Sequence, residues 1–421
     1  MLLLRLAWKS ASARAGSTIL TVLAIALSTA LVLGVEKIRA GARAGFEQTV
    51  SGADLVVGAR SGSINLLLYA VFRLGDPTTN ISWRTYETFA ERPDVAWTIP
   101  LSLGDSHGGF RVLGTAKTYF DYYRHGDKRL LAFDQGGVFD GVYDAVLGAE
   151  AARDLGYDIG DTFEISHGIQ SAAFAEHAGH PFTVKGILKP TGTPVDRTIH
   201  TSLEGIEAVH ANWRFGAPSS LGASRAGQGA QAPADLQPKA ITAFLVGLKS
   251  KTAVLRYQRE VNTYRGEALM GVIPGVALSQ LWRVLGPAED ALRVVSILVM
   301  VAGLTGLLTT LLSTLNERRR EIAVFRAVGA RQRDVFALLV FESTLVAGIG
   351  ALAGAAALNT LLAIFGRTLE ASIGAPLGPL GLSVYDAYVI VAVTAIGFVM
   401  GLAPAWIAYR RSLADGLSVR V

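Results

Sequence analysis

Four long apolar segments dominate the hydrophobic pattern of the chain. They lie at Ala15–Val35, Val294–Leu315, Val335–Phe365 and Ala387–Tyr409. Each reaches the roughly 20 residues that a helix needs to cross about 30 Å of hydrocarbon. Three of them contain no Asp, Glu, Lys, Arg or His, and the segment 335–365 contains only Glu342. The pattern predicts a membrane protein with transmembrane α-helices at 15–35, 288–315, 335–365 and 387–409.

Residues 36–287 show a different pattern, in which short strand-like runs alternate with amphipathic helical stretches. The strand-like runs are Ala53–Val57, Phe110–Leu113, Ala145–Leu147, Thr162–Ile165, Phe182–Ile187 and Ala243–Leu248. The helical stretches are Trp83–Glu91, Ala149–Leu155, Ser202–Trp213 and Ala253–Leu269. Residues 216–238 carry few large apolar side chains, which predicts a flexible loop. The mixture predicts a large α+β domain between the first two membrane helices.

The basic residues predict which segments face the cytoplasm, because short cytoplasmic loops carry an excess of Lys and Arg. These residues are Arg5, Lys9 and Arg14 before the first span; Arg318, Arg319, Arg320, Arg326, Arg331 and Arg333 between the second and third; and Arg410, Arg411 and Arg420 after the fourth. The segment 366–386 carries only Arg367. We therefore expect both termini and the loop 316–334 in the cytoplasm, with 36–287 and 366–386 outside.

The N-terminal residues 1–14 are apolar on one helical face and basic on the other, which predicts an amphipathic helix on the cytoplasmic leaflet. An unstructured start is the alternative. We interpret the first apolar segment as a retained span rather than a cleaved signal peptide. Its uncharged run is longer than the about 7–15 apolar residues of a signal peptide.

Composition limits the chemistry of the chain. Only 17% of the residues are charged, and there is no cysteine, so disulfides and thiolate metal sites are excluded. The histidines all lie in 36–287: His107, His125, His167, His177, His180, His200 and His210. His177 and His180 are three residues apart, which makes them weak candidates for metal ligands. The alternative is that these histidines lie on loops without a metal, and we expect no metal site.

The predicted cytoplasmic loop contains the most informative stretch, NERRREIAVFRAVGARQRDV at Asn316–Val335. Ile322, Phe325, Ala327 and Val328 can form an apolar stripe at helical spacing, and Gly329 is placed to end this helix. Such a helix needs a surface on which to bury its apolar face. A groove on a partner protein would serve, and so would anionic lipid beneath a basic loop. The residues alone leave both open.

The segment from Asn316 to Gly354 resembles the signature region of the FtsX/MacB-like ABC transporter permeases. The stretches VLGAEAARDLGYDIGDTFEI (Val146–Ile165) and FTVKGILKPTGTPVDRTIHTSLEGIEAV (Phe182–Val209) are similar to the MacB-type periplasmic core domain. The resemblance implies that the short cytoplasmic helix couples the permease to an ATPase subunit. The candidate coupling residues are Glu317, Arg320, Glu321, Ile322, Phe325, Arg326, Val328 and Gly329.

The resemblance also implies the partners and the activity. We expect a dimer of identical or closely related permeases in a bacterial inner membrane, bound to a separate ATPase that holds ATP and Mg²⁺. ATP hydrolysis would move the outer domain to export or release a hydrophobic or envelope-associated substrate. Possible outer partners are a periplasmic adaptor, a lipoprotein or a hydrolase, and no nucleic acid is expected. The alternatives are an FtsX-like activator of a cell-wall hydrolase and a metal-responsive envelope protein.

Motifs for catalysis are absent from the sequence. There is no GxxxxGK[ST] phosphate loop and no GxSxG nucleophile turn, so we expect no catalytic site and no cofactor in this chain. Only 14 residues precede the first span, so we expect the ATPase to be another chain.

Several residues are expected to have structural roles. Glu342 is predicted to pair or accept a hydrogen bond within the helix bundle. Gly350 and Gly354 form a GxxxG pair that would allow close helix packing. Asp196 and Arg197 are predicted to form a turn closed by local side-chain hydrogen bonds.

Overall fold

The computed structural model describes residues 15–49, 52–167, 181–210, 213–214, 217–218, 236–317, 319–373 and 381–410. The predicted amphipathic helix 1–14, the tail residues 411–421 and most of the predicted loop 216–238 lie outside these ranges, as do His177 and His180. The chain divides into two compact units. The helical unit comprises Met1–Ala42 and Gly286–Val421, and the outer domain comprises Arg43–Leu285.

The helices of the described chain, in order, are α1 (Ala15–Thr49), α2 (Ser63–Ala70), α3 (Trp83–Ala90), α4 (Thr118–Tyr122), α5 (Ala149–Leu155), α6 (Leu203–His210), α7 (Val254–Asn262), α8 (Pro274–Glu317), α9 (Arg319–Ala327), α10 (Gln332–Ile373) and α11 (Val384–Arg410). Within the described ranges, four of them, α1, α8, α10 and α11, are long and apolar enough to cross a membrane. They coincide with the predicted spans and confirm that part of the fold.

Two of these helices extend well beyond the predicted spans. The first span was predicted to end at Val35, but α1 continues without interruption to Thr49. The second was predicted to start at residue 288, but α8 begins at Pro274 and passes through Pro287. Proline suits the first turn of a helix because its missing N–H would have no intrahelical partner there. Both helices therefore continue into the outer domain as regular secondary structure.

Small residues allow α1 to lie close to its neighbours in the helical unit. A Cβ added at Gly350 of α10 would lie 2.8 Å from the Cβ of Ile25, and one at Gly354 would overlap the carbonyl oxygen of Ala26. The Ser28 hydroxyl lies 3.2 Å from the Val299 carbonyl oxygen of α8. Close backbone approach and interhelical hydrogen bonds hold membrane helices together where the hydrophobic effect cannot.

The outer domain is built on one large sheet. Its strands are β1 (Leu55–Ala59), β3 (Val95–His107), β4 (Phe110–Thr115), β7 (Phe133–Gly136), β8 (Asp144–Leu147), β9 (Thr162–Phe163), β10 (Ser166–His167), β11 (Phe182–Leu188), β12 (Thr198–Ser202), β16 (Ala243–Leu248) and β17 (Leu269–Val272). The strand order is β17-β1-β16-β3-β4-β12-β8-β11-β7, with β10 on β3 and β9 on β11. Short pairs elsewhere are β2 (Ile81–Ser82) with β15 (Ala240–Ile241), β5 (Arg124–His125) with β6 (Arg129–Leu130), and β13 (Trp213–Arg214) with β14 (Ala217–Pro218). Helices packed against this sheet confirm the predicted α+β class.

The longest strand, β3, is one that the hydrophobic pattern does not predict. It contains Pro100, which cannot donate a ladder hydrogen bond and normally argues against an interior strand. Pro100 lies opposite Phe244, and its carbonyl oxygen accepts a hydrogen bond from the Thr115 hydroxyl at 2.8 Å. A side chain of the neighbouring strand thus contributes a hydrogen bond beside a position where the ladder loses one.

The predicted helix Ala253–Leu269 is wrong in its second half. Helix α7 ends at Asn262, and Leu269 begins strand β17. The Asn262 side-chain oxygen accepts a hydrogen bond from the Gly271 N–H at 2.7 Å, which fixes the strand beside the helix end. The β17 strand pairs with β1, a contact that is distant in sequence and does not show in local periodicity.

Candidate coupling site

The candidate coupling site is the short helix α9 and the turn that joins it to α10. The helix ends where the Val328 N–H donates to the Val324 carbonyl oxygen at 3.1 Å and the Gly329 N–H donates to the Arg326 carbonyl oxygen at 3.1 Å. Gly329 has a φ of 107°, a conformation that favours glycine because it lacks a Cβ. The predicted helix end is therefore at this glycine.

The first turn of α10 is fixed by Asp334. Its carboxylate accepts a hydrogen bond from the Arg331 N–H at 2.8 Å, and its own N–H donates to the Arg331 carbonyl oxygen at 3.0 Å. An acidic side chain is favourable at this end of a helix, where the N–H groups carry partial positive charge. The turn between α9 and α10 is thus held by glycine geometry on one side and by a cap on the other.

One face of α9 packs against its own helical unit. Ala323 is buried, and Ile322 is half-buried against an apolar cluster. The cluster consists of Leu315, Val335, Leu339, Val340, Ala405 and Ala408. Ile322, one of the predicted coupling residues, lies on this inner face. Helix α9 is therefore attached to both α10 and α11.

The opposite face of α9 presents valines to solvent. Val324 is 59% exposed and Val328 is 84% exposed. Residues four apart lie on the same side of a helix, so these two valines form one apolar strip. Val328 is among the predicted coupling residues, whereas Val324 lies outside the predicted stripe, which ran through Ile322 and Phe325. The side chains of Glu317, Arg320, Glu321 and Phe325 lie outside the described part of the structure.

Glu342, the one acidic residue in the four apolar segments of the sequence, is 3% exposed on α10. Its neighbour Ser343 is fully buried where α11 approaches, since a Cβ on Gly401 would overlap the Ser343 hydroxyl. Glu342 is thus buried in the helical unit rather than exposed at its surface. Burial of this kind is typical of ionisable residues in membrane helices.

The turn at Asp196 in the outer domain is closed as the sequence predicts. The buried carboxylate accepts hydrogen bonds from the N–H groups of Thr191 and Gly192, both at 2.8 Å, and from the Thr191 hydroxyl at 2.8 Å. Burial raises the pKa of Asp196 although these hydrogen bonds lower it. The neighbouring Arg197 pairs with Glu150 at 3.2 Å. The carboxylate is saturated by backbone and hydroxyl donors, which supports a structural role.

The histidines of the outer domain have different environments. His200 is fully buried beside Tyr119, with ring centroids 5.0 Å apart, and burial lowers its pKa to about 3. Burial also lowers the pKa of His210, but Asp105, 3.4 Å away, outweighs this and the pKa is raised overall. Among the described residues no group of three His, Asp or Glu side chains could hold a metal ion. The weak candidates His177 and His180 lie outside those residues.

Comparisons with known proteins match both units. A family model described as the MacB-like periplasmic core domain matches residues 18–263, and one described as the FtsX-like permease C-terminal domain matches residues 293–415. The chain belongs to the FtsX/MacB-like family of ABC transporter permeases. This family comprises permease components of ABC transporters, and family membership together with the four long apolar helices of the described ranges supports a multi-pass membrane protein.

Individual relatives are more distant. The macrolide export ATP-binding/permease protein MacB of Syntrophobacter fumaroxidans (strain DSM 10017 / MPOB) is 28% identical over 123 residues. That match covers 28% of this chain and 16% of the relative. The extracellular domain of the noncanonic ABC-type transporter YknZ from Gram-positive bacteria has a TM-score of 0.29 at 11% identity. It covers 52% of this chain and 98% of that domain.

Proposed function

We propose that this FtsX/MacB-like chain is the permease subunit of an ABC transporter whose ATPase is a separate chain that binds ATP and Mg²⁺. The ATPase docks on the exposed face of α9. The observation that carries this proposal is the division of α9 into two faces, with Ile322 packed inward and Val324 and Val328 exposed. An apolar strip on a helix anchored by its other face is suited to a groove on a partner protein.

In this proposal the movement of the membrane helices changes the conformation of the outer domain. Strand β1 follows α1 along the chain, and α8 follows β17. These two strands pair antiparallel, with Val56 opposite Val272. A displacement of either helix is therefore passed to the same edge of the large sheet. This connection supports mechanotransmission, in which ATP hydrolysis on one side of the membrane changes the domain on the other.

Orientation and substrate follow from the same proposal. The Arg-rich loop that contains α9 lies in the cytoplasm with both termini, and the domain Arg43–Leu285 lies outside a bacterial inner membrane. Two copies of the permease act as a dimer. The substrate is hydrophobic or associated with the envelope, since Glu342 is the one acidic or basic residue within the four apolar segments 15–35, 294–315, 335–365 and 387–409 and offers no hydrophilic route through them.

The test is copurification of the ATPase with tagged permease variants. We expect Val324→Glu and Val328→Glu, alone and together, to lose the ATPase, because a charge would be buried in an apolar docking groove. Leu255→Glu is the matched control, since Leu255 of the outer domain is 70% exposed and far along the chain from α9. Retention of the ATPase by the double variant would contradict the docking assignment. Capture of a cell-wall hydrolase by the native chain, with no ATPase, would favour a regulatory role instead.

A further inference from the structure

A buried ion pair joins α1 to the start of α11 in the helical unit. The Lys37 ammonium lies 3.3 Å from the Asp386 carboxylate, and the two side chains are 8% and 1% exposed. In the sequence both residues lie just outside the predicted spans, Lys37 after the first and Asp386 before the fourth. Burying two charges is costly unless they are paired and their remaining hydrogen-bonding groups are satisfied.

The surrounding groups meet this requirement. Lys37 also donates to the Gly381 carbonyl oxygen at 2.9 Å, and the Gly381 N–H donates to the Asn359 side chain of α10 at 3.0 Å. Asp386 accepts from the Ser383 N–H at 3.0 Å, while the Asp386 N–H donates to the Ser383 hydroxyl at 3.1 Å. The last two bonds form a reciprocal cap at the start of α11. One network therefore connects α1, α10 and α11.

The other end of α11 lies at the coupling site. Ala405 and Ala408 belong to the apolar cluster against which Ile322 packs. From Ala408 of this cluster, α11 runs back to Asp386 over about 33 Å at 1.5 Å per residue. Beyond Lys37, α1 continues as a regular helix to Thr49, about 18 Å further. One helix, α11, thus runs from the cluster beneath α9 to the ion pair, and α1 continues from the ion pair to Thr49.

We propose that Lys37 and Asp386 are positioning residues that lock α1 to α11, so that movement of α9 reaches the outer domain through α11 and then α1. This proposal rests on the proposed function, because the movement is supplied by the docked ATPase. The ion pair supplies what a chain of apolar contacts lacks, a directional link with one preferred geometry. The test therefore measures coupling between the two sites directly.

The test uses paired variants that separate charge from shape. Lys37→Met and Asp386→Asn remove the ion pair, and the Asn side-chain oxygen can still accept the cap from Ser383. Lys37→Arg and Asp386→Glu keep the charges. Arg39→Met is the neighbouring control, since it removes a cation of α1 whose pairs with Glu36 and Glu289 are partly exposed. Because the chain has no cysteine, Arg43→Cys and Tyr388→Cys can carry a pair of spin labels in each variant.

In the permease alone we expect one narrow label-to-label distance for the native chain and for the Arg, Glu and Arg39→Met variants. Lys37→Met and Asp386→Asn broaden the distribution. In the complex with ATPase these two variants retain the ATPase at the native ratio. They lose the ATP-dependent signal of a fluorophore at Leu255→Cys on the outer domain. A purely local structural role would leave that signal intact whenever the protein is folded.

Narrow distances and a native signal in Lys37→Met and Asp386→Asn would overturn the proposal. Equal defects in the charge-keeping variants would do so as well, because shape rather than charge would then be decisive. If Lys37→Met fails to fold, Asp386→Asn still decides the matter because it preserves size and cap. Failure of the proposed function would show separately, as a native chain that binds no ATPase while its label distances still respond to loss of the pair.

Discussion

At the scale of single residues, burial gives some side chains of the outer domain properties that exposed ones lack. His200 is held neutral inside the domain because burial lowers its pKa to about 3 from 6.5. The pKa of His210 is raised instead, because the Asp105 carboxylate faces its ring. These two histidines therefore contribute to stability with opposite dependence on pH.

We predict that acidification destabilises the outer domain through His200. Between pH 6.5 and about 3 the unfolded state binds a proton that the folded state does not. The free energy of unfolding therefore falls by up to about 1.4 kcal/mol for each pH unit below 6.5. His200→Gln removes this contribution. The free energy of urea unfolding of the purified full chain should therefore depend less steeply on pH in this variant, between about pH 6 and about pH 4.

His210 serves as an internal check on that prediction. Its raised pKa gives stability that is present at low pH and is lost as pH rises through the folded value. Asp105→Asn should therefore lower stability more at acidic pH than at neutral pH. His200→Gln should lower stability less at acidic pH than at neutral pH. An unchanged pH slope in His200→Gln would show that another group is responsible.

At the scale of elements, the packing of α10 on α1 depends on glycines. A Cβ at Gly354 would overlap the backbone oxygen of Ala26, which cannot rotate away, whereas Gly366 of the same helix has open space around it. Alanine is favoured over glycine in helices by about 1 kcal/mol where space allows. The two positions therefore form a matched pair.

We predict that Gly354→Ala lowers the stability of the detergent-solubilised protein, by about 1–3 kcal/mol if α1 cannot move away. Gly366→Ala should be neutral or slightly stabilising. Thermal or SDS unfolding of both variants measures the difference. Equal stability of the two would mean that α1 and α10 are not in close contact at Gly354.

The helices and strands also differ in how well the sequence predicts them. Membrane helices are predictable because an uncharged run of about 20 residues has few other stable environments. Strand β3 was not predictable, because Pro100 argues against an interior strand and the strands that pair with β3 include one that is remote in sequence. The split of α9 was missed for a related reason. Which valines face outward depends on where α10 and α11 lie, and local spacing does not contain that information.

The ion pair of Lys37 and Asp386 illustrates the same limit more sharply. In the sequence, Lys37 and Asp386 each look like an ordinary charged residue next to the end of a membrane span. Their contact joins positions 37 and 386 and forms only when α1 and α11 are assembled. The predicted turn at Asp196 succeeded because all of its donors, at Thr191 and Gly192, are close in sequence.

At the scale of the whole molecule, we propose a permease in which a docked ATPase acts on α9 and the outer domain changes conformation in response. The family assignment covers both units. In the proposed function the ATPase binds the exposed strip of Val324 and Val328. In the same proposal the movement reaches the outer sheet through β1, which follows α1 along the chain, and through β17, which precedes α8.

Docking at α9 can be measured most directly by site-specific crosslinking in the assembled complex. A photoreactive maleimide on Val328→Cys, the single cysteine of such a variant, should crosslink the permease to the ATPase subunit, while the same probe on Leu255→Cys should not. The account predicts a permease–ATPase adduct from Val328→Cys alone. An adduct from Leu255→Cys with none from Val328→Cys would contradict it.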